Sequence, residues 1–424
     1  MEALQSAVAK LSELPPLVTS WEIEDLKSKF ADAAQGKLFI LQGGDCAESF
    51  EDCRSDAIAA KLKILMQMSL IVSHGTKTNV VRVGRFAGQY AKPRSSDTET
   101  RGEVTYPSYY GDLVNKVEFS KAARTPDPNL LLSGYKHSAL TLNFIRSLMV
   151  GGFADLRVPE YWELEERAQS SAFYKKYQAI SKSIQKSPPF TEVIAGKRHD
   201  SRNKADFFTS HEGLCLWYEQ AQTRKVPRRQ GWYNLSTHMP WIGKRTSQSE
   251  GAHVEYFSGI ENPIGLKIGS QRSYEDIVKA CELLNSKREL GKLVLIHRFG
   301  VNDIKEQLPR LIEEVQKSNI PVVWMSDPMH GNTELSSSGV KTRQFAKIKE
   351  EMEMAFEVHK KMDSRLSGLH FELTGDDVTE CLGGSAGLCE EDLQKAYKSP
   401  VDPRLNYEQS LEIAIRLSEL ASNS

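Results

Sequence analysis

The chain predicts an α/β fold, a (β/α)8 barrel of the TIM type with an N-terminal helical extension and an inserted helical pair. Three observations carry that expectation. Short apolar runs alternate with amphipathic stretches from residue 38 to residue 373, the pattern of a parallel sheet with crossover helices. The runs end in polar residues unsuited to plain packing: Gln42-Gly-Gly-Asp-Cys46, Arg85, Lys267, His297-Arg298, Asp327-Pro-Met-His330 and Glu372. A closed barrel gathers all its strand C-termini at one mouth, whereas an open sheet spreads them along an edge.

Residues 1–36 precede the first strand and read as helical, with Ile23, Leu26 and Phe30 on one face. They form the extension, and residues 37–424 form the barrel domain. The runs 38–41, 80–83, 264–268, 293–296, 322–325 and 369–373 read as buried strands; Lys267 interrupts the third of them. Four helical stripes lie between strands: Ile58, Leu62, Leu65, Met66 and Leu70; Ile277, Ala280, Cys281 and Leu284; Ile304, Leu308, Leu311, Ile312 and Val315; Ile348, Met352, Ala355, Phe356 and His359. The second starts behind an N-cap at Ser273 with Asp276 three residues on. Residues 158–210 are charged, helical and proline-punctuated, with no strand run, and read as a helical hairpin suited to packing, assembly or regulation. Residues 336–339 form a short Ser-rich loop. Internal repeats and low-complexity tracts are absent.

Of the 424 residues, 40% are hydrophobic and 26% charged, with a net charge of −1. That is a globular composition, and nothing in its charge calls for nucleic acid or an anionic membrane. Cys46, Cys53, Cys215, Cys281, Cys381 and Cys389 lack the density of a disulfide scaffold and read as thiols in a reducing compartment. The first residues form neither a secretory signal nor a transit peptide. No apolar run approaches the roughly 18 residues of a membrane span. A cytoplasmic protein is expected.

Chemistry is concentrated in a few side chains. Cys46 follows a Gly-Gly pair at a strand end, His330 lies in a loop after a strand, and Asp402 opens an Asp-Pro turn. Each alone has a bland reading as inert core, plain loop or turn chemistry. Glu372 differs, because a carboxylate inside an apolar strand needs a cation. If the four converge, thiolate, imidazole and two carboxylates suit a divalent transition metal, Mn, Co, Fe or Zn, better than Mg or Ca. Their spacing is scattered, unlike a zinc finger. Arg85, Lys92, Arg94, Ser95, Lys244, Arg245, Lys267 and Arg298 cluster at or after strand ends. Guanidinium groups there would hold a substrate with several anionic groups. The alternative is ion pairing with Asp45, Glu48 and Glu255.

Eight blocks then resemble the class II (plant-type) 3-deoxy-D-arabino-heptulosonate 7-phosphate (DAHP) synthase family, in that family's order. They are Gln42-Gly-Gly-Asp-Cys-Ala-Glu-Ser49, Arg85-Phe-Ala-Gly-Gln-Tyr-Ala-Lys-Pro-Arg-Ser95, Ala123-Arg-Thr-Pro-Asp-Pro128, Ser210-His-Glu-Gly213, Asn262-Pro-Ile-Gly265, Asp327-Pro-Met-His-Gly-Asn-Thr333, Thr374-Gly-Asp-Asp-Val-Thr-Glu-Cys381 and Asp402-Pro-Arg-Leu-Asn406. The resemblance implies a (β/α)8 barrel. It implies condensation of phosphoenolpyruvate with erythrose 4-phosphate, the first step of the shikimate pathway or of a secondary aromatic pathway. It puts Cys46, His330, Glu372 and Asp402 at the metal-ligand positions. Arg85, Lys244, Arg245, Lys267 and Arg298 fall where phosphoenolpyruvate is held, and Lys92, Arg94 and Ser95 near the aldehyde and its phosphate. Lys92 is the candidate for proton transfer to the new hydroxyl. The family's inserted helices correspond to residues near 158–200, which in some members serve assembly or aromatic amino acid feedback; a homo-oligomer, dimer or tetramer, is expected.

The chain departs from the family pattern at Lys244, usually acidic, at Ser247 and Tyr110, usually arginine, and at Val401, commonly cysteine. The metal set is intact, so these departures bear on the aldehyde. A related enzyme using another aldehyde is the alternative, and a non-catalytic regulatory homologue a third reading.

Overall fold

The computed structural model describes residues 1–151, 172–186 and 206–421. Eight parallel strands close into a barrel in chain order: β1 Leu38–Gly44, β2 Asn79–Arg85, β3 Phe207–Glu212, β4 Met239–Ile242, β5 Ile264–Ile268, β6 Leu293–His297, β7 Val323–Ser326 and β8 Leu366–Glu372, with β8 paired to β1. The register of the closing pair sets the mouth: Gly44 lies level with Glu372 on one side and with Arg85 on the other.

Two strands had no apolar signal. β3 reads Phe-Phe-Thr-Ser-His-Glu and is buried from its second residue to its last. β4 is four residues with a proline, Met-Pro-Trp-Ile. The expectation that 158–210 holds no strand is therefore corrected: β3 starts at Phe207, inside that range. β3 turns polar after two apolar residues, and β4 is a four-residue stretch broken by proline, so neither holds a run long enough to mark a strand. The described part of the expected insertion is one helix, Ala172–Lys186. Most of the expected pair lies outside the described residues.

The extension consists of α1 Glu2–Glu13 and α2 Ser20–Ala34. Thr19 caps α2 in a capping box: its Oγ1 accepts from the Glu22 N–H at 3.3 Å, and Glu22 Oε2 accepts from the Thr19 N–H at 2.8 Å. Leu26, Phe30 and Ala33 pack against Ile40, Val81, Val83, Phe208, Met239, Val294, Ile296, Val323 and Met325 from six strands. Thus α2 plugs the N-terminal end of the barrel and leaves the other end for chemistry. Gly291, φ +91°, is needed there: a Cβ would stand 2.2 Å from the Lys27 carbonyl oxygen of α2.

The outer helices include α3 Ser55–Thr76, α4 Asn129–Val150, α5 Ala172–Lys186, α6 Ala252–Ser258, α7 Tyr274–Leu284, α8 Ile304–Ser318, α9 Phe345–Lys361 and α10 Tyr407–Ala421. The expected stripes of α7 and α8 are buried in full. Ser273 Oγ caps α7, accepting from the Asp276 N–H at 3.1 Å. α3 is long and apolar enough to cross a membrane by length and composition, although no apolar run was expected to be. Of its most apolar window 72% is buried, packed between the barrel and α10. Two antiparallel hairpins stand above the mouth, Thr98–Arg101 with Val104–Pro107 and Thr333–Leu335 with Lys341–Arg343. The 336–339 loop closes the second.

Candidate active site

The mouth is assembled from strand ends. The loop after β1 carries Cys46, β8 ends at Glu372, and the chain returns past α9 and β8 to bring Asp402 alongside. Ligand atoms of Cys46, Glu372 and Asp402 all lie within 4.8 Å of one another. His330, after β7, places Nε2 2.9 Å from Glu372 Oε1, and its Nδ1 lies 2.7 Å from Asp327 Oδ2. That second contact fixes the ring, as a carboxylate behind a metal-binding imidazole does. Cys46, Glu372 and Asp327 are completely buried.

A buried thiol among carboxylates demands positive charge. Burial and the neighbouring Glu372 push the Cys46 thiol up to about 12. Burial alone would raise Glu372 as well. His330, Lys92, Arg343 and Arg85 outweigh it and hold that carboxyl well below the usual range. Lys92 Nζ sits among the same donors, 2.8 Å from Cys46 Sγ, 2.8 Å from Glu372 Oε1 and 3.0 Å from Asp402 Oδ2. Thiol, two carboxylates and an oriented imidazole fit a divalent transition metal.

Cations surround this cluster. Arg85 NH2 lies 3.1 Å from Glu372 Oε1, and its other amino group 2.6 Å from His370 Nε2. His370 Nδ1 in turn meets Gln42 Oε1 at 2.7 Å. Lys267 Nζ lies 2.8 Å from Asp327 Oδ2 and 3.0 Å from His370 Nε2; burial lowers it to about 8. The Trp241 ring, 1% exposed, underlies both Arg85 and Lys267. Beside the cluster opens a cleft of about 460 Å³, lined by Lys92, Lys244, Arg245, Lys267, Arg298 and Lys341, with His330, Asp402 and Glu212. Among the described residues Lys244, Arg245 and Arg298 have no carboxylate partner. Burial, then Arg298 and Arg245, lowers the Lys244 ammonium. Arg298 donates to the His330 carbonyl at 2.6 Å.

The bland alternative for these cations is not what forms. Asp45 pairs with Lys61 and Arg404, and the Glu48 carboxylate accepts the N–H groups of Ala87, Gly88 and Gln89 at 3.0, 3.0 and 2.9 Å. Glu48 so pins the segment between Arg85 and Lys92. Gly44, φ +148°, completes the tight exit from β1, where a Cβ would meet the Phe86 ring at 2.5 Å.

Arg94 and Ser95 stand apart. Neither lines the cleft; Arg94 is half-buried with one guanidinium nitrogen lacking a partner, and Ser95 is exposed. Tyr110 donates to Asp97 at 2.6 Å, and Ser247 Oγ accepts from Arg272 at 2.9 Å. Three residues escaped the sequence reading. Arg343, fully buried, lies 2.8 Å from Glu372 Oε2; Lys341 lies 3.1 Å from Asp402 Oδ1; and Glu212 faces the cleft from the end of β3. The i, i+2 spacing of Lys341 and Arg343 was a signal for a strand with both cations on one side.

Comparison with known proteins agrees with this geometry. The sequence model of the Class-II DAHP synthetase family matches residues 1–418. The chain is 44% identical over 419 residues to a phospho-2-dehydro-3-deoxyheptonate aldolase of Streptomyces coelicolor, covering 99% of this chain and 93% of that protein. It is 45% identical over 433 residues to one of Neurospora crassa, covering 98% and 89%. A solved phospho-2-dehydro-3-deoxyheptonate aldolase from Francisella tularensis shares the fold at TM-score 0.53 and 15% identity, over 99% of this chain and 96% of the other.

Proposed function

The chain belongs to the class II DAHP synthetase family and condenses phosphoenolpyruvate with erythrose 4-phosphate to DAHP and phosphate; we propose how its residues divide that work. The observation that carries the assignment is one juxtaposition: the Cys46–His330–Glu372–Asp402 cluster opens onto a cleft whose Lys244, Arg245 and Arg298 have no acidic partner among the described residues.

Those four side chains would hold the family's divalent metal, which would supply Lewis acidity toward the aldehyde oxygen. Mn or Co is the metal of this reading, with Zn and Fe as the others the donor set accepts. Arg298, Arg245, Lys244 and Lys267 hold the phosphate and carboxylate of phosphoenolpyruvate, with Arg85 bracing the floor beneath them. Fixing both reactants so that C3 faces the aldehyde carbon can supply about 7–11 kcal/mol of barrier reduction. Lys92, enclosed by acidic groups that favour its ammonium form, delivers a proton to the new hydroxyl. Arg94 and Ser95, which follow the cleft-lining Pro93 in the chain, are the residues of this reading for the aldehyde's phosphate. A homo-oligomer acting in the cytoplasm belongs to the same reading.

The test follows phosphoenolpyruvate loss with a panel of aldehydes, with and without Mn or Co. Metal-dependent turnover with erythrose 4-phosphate is expected. Turnover only with another aldehyde would move the acceptor assignment to the departures at Tyr110, Lys244 and Ser247. No turnover and no metal uptake would end the reading.

A further inference from the structure

Two acids line the cleft, Asp402 and Glu212. Asp402 is engaged by Lys92 and Lys341 and stands in the donor cluster. Glu212 is different. It is 8% exposed, and its Oε1 is buried with no hydrogen-bond partner. No cation of the described residues lies within ion-pair distance of it, although Lys92, Lys267, Arg85 and Arg245 all face it.

Its place is fixed by backbone. The Glu212 N–H donates to Gln89 Oε1 at 2.8 Å, and Trp241 lies level with it on β4. The carboxylate rests against Gly243, where a Cβ would stand 2.0 Å from Oε1. It is thus held beside the loop that presents Lys244 and Arg245. A buried carboxylate oxygen without a partner is costly, so a site keeps one where a reacting group will meet it.

The condensation itself requires such a group. Carbon–carbon bond formation at C3 leaves C2 electron-poor. A water oxygen bonds to C2, and the C2–O bond to phosphate then breaks. Of the two water protons, one must end on the new hydroxyl and the other on the departing phosphate. Lys92 accounts for the first transfer, and nothing assigned so far receives a proton from the water.

We propose that Glu212 is the base that takes a proton from the water adding at C2. This rests on the condensation reading. The carboxylate accepts that proton as the O–C2 bond forms. Glu212 then returns it toward Lys92, which has given its own to the alkoxide. The hydroxyl proton of the C2 adduct leaves with phosphate, so the balance closes without an outside acid. Burial raises the Glu212 carboxyl, against the pull of the cations, which makes it a stronger base.

The experiment compares wild type and Glu212→Gln, both loaded with Mn, by steady-state kinetics and by calorimetric titration with phosphoenolpyruvate alone. Gln keeps the shape and removes the base. The expected result is a kcat lowered by about 10²–10⁴-fold, an unchanged melting temperature, phosphoenolpyruvate affinity within threefold, and loss of the acid limb of the kcat–pH profile. A kcat within tenfold of wild type overturns the proposal. So does a loss of phosphoenolpyruvate affinity as large as the loss of kcat, or a retained acid limb. An inactive wild type would instead break the condensation reading, and this inference with it.

Discussion

Cys46 and His330 approach the cluster from different loops, so each can be removed without dismantling the barrel. Cys46→Ala or His330→Ala should lower bound metal from about one equivalent to a small fraction, with activity lost in proportion, while far-ultraviolet circular dichroism stays unchanged. Metal analysis after gel filtration checks this; full metal content in either variant would sink the four-ligand assignment. Lys292 tests electrostatics elsewhere. Burial lowers its ammonium to about 7 from an ordinary 10.5, and it donates to the carbonyls of Ile260 and Asn262. Between those two pH values the unfolded chain holds a proton that the folded chain does not, so stability from this group rises with pH across that window. The unfolding free energy of wild type relative to Lys292→Met should therefore increase by a few kcal/mol between pH 7 and pH 10. At this scale Glu372 was legible because a carboxylate in an apolar strand has one sensible explanation. Lys92 was legible as a cation but not as the neighbour of Cys46, Glu372 and Asp402, since that requires the loop pinned by Glu48. Glu212 stood in the Ser210-His-Glu-Gly213 block but drew no role, since nothing in the sequence shows that it ends a strand beside the cleft.

The element that most repays attention is α2, because it is both an extension and the floor of the barrel. Phe30 is fully buried among the inward-facing residues of the strands. Phe30→Ala should cost about 3–5 kcal/mol through lost burial and the cavity left behind, read as a lower denaturant midpoint with little change in KM. Thr19→Ala should cost only about 1 kcal/mol, the worth of an N-cap. Helices were more legible than strands, for a physical reason. α7 and α8 bury one face against the sheet, so their stripes run through a dozen residues. β3 and β4 spend their short length on the mouth, where His211, Glu212 and a proline replace the apolar residues that announce a strand. The closing strands β1, β2 and β8, seven residues each, are long enough to hold apolar residues that show despite their polar ends.

Over the whole molecule the formal charge is −1, yet one cleft holds six cationic side chains. Such a focused field raises the encounter rate with a multiply charged substrate and is screened by salt. The KM for phosphoenolpyruvate should rise several-fold between about 0.05 and 0.5 M ionic strength, with kcat changing far less; steady-state kinetics in a non-coordinating salt measures it. A KM independent of salt would place that charge in structural pairs. Barrel closure was legible as a convergence of polar strand ends, whereas the seam between β8 and β1 follows from register alone. That seam has an outcome for how the protein comes to be. Asp402 meets Cys46 across 356 residues of chain, so the candidate metal site is divided between the strand that opens the ring and the segment that follows the strand closing it. A chain ending before β8 would own the thiol and the imidazole of that set but neither carboxylate. Tight uptake of metal would therefore report a finished ring, and an ion held by those four side chains would tie together the segments on either side of the closing seam.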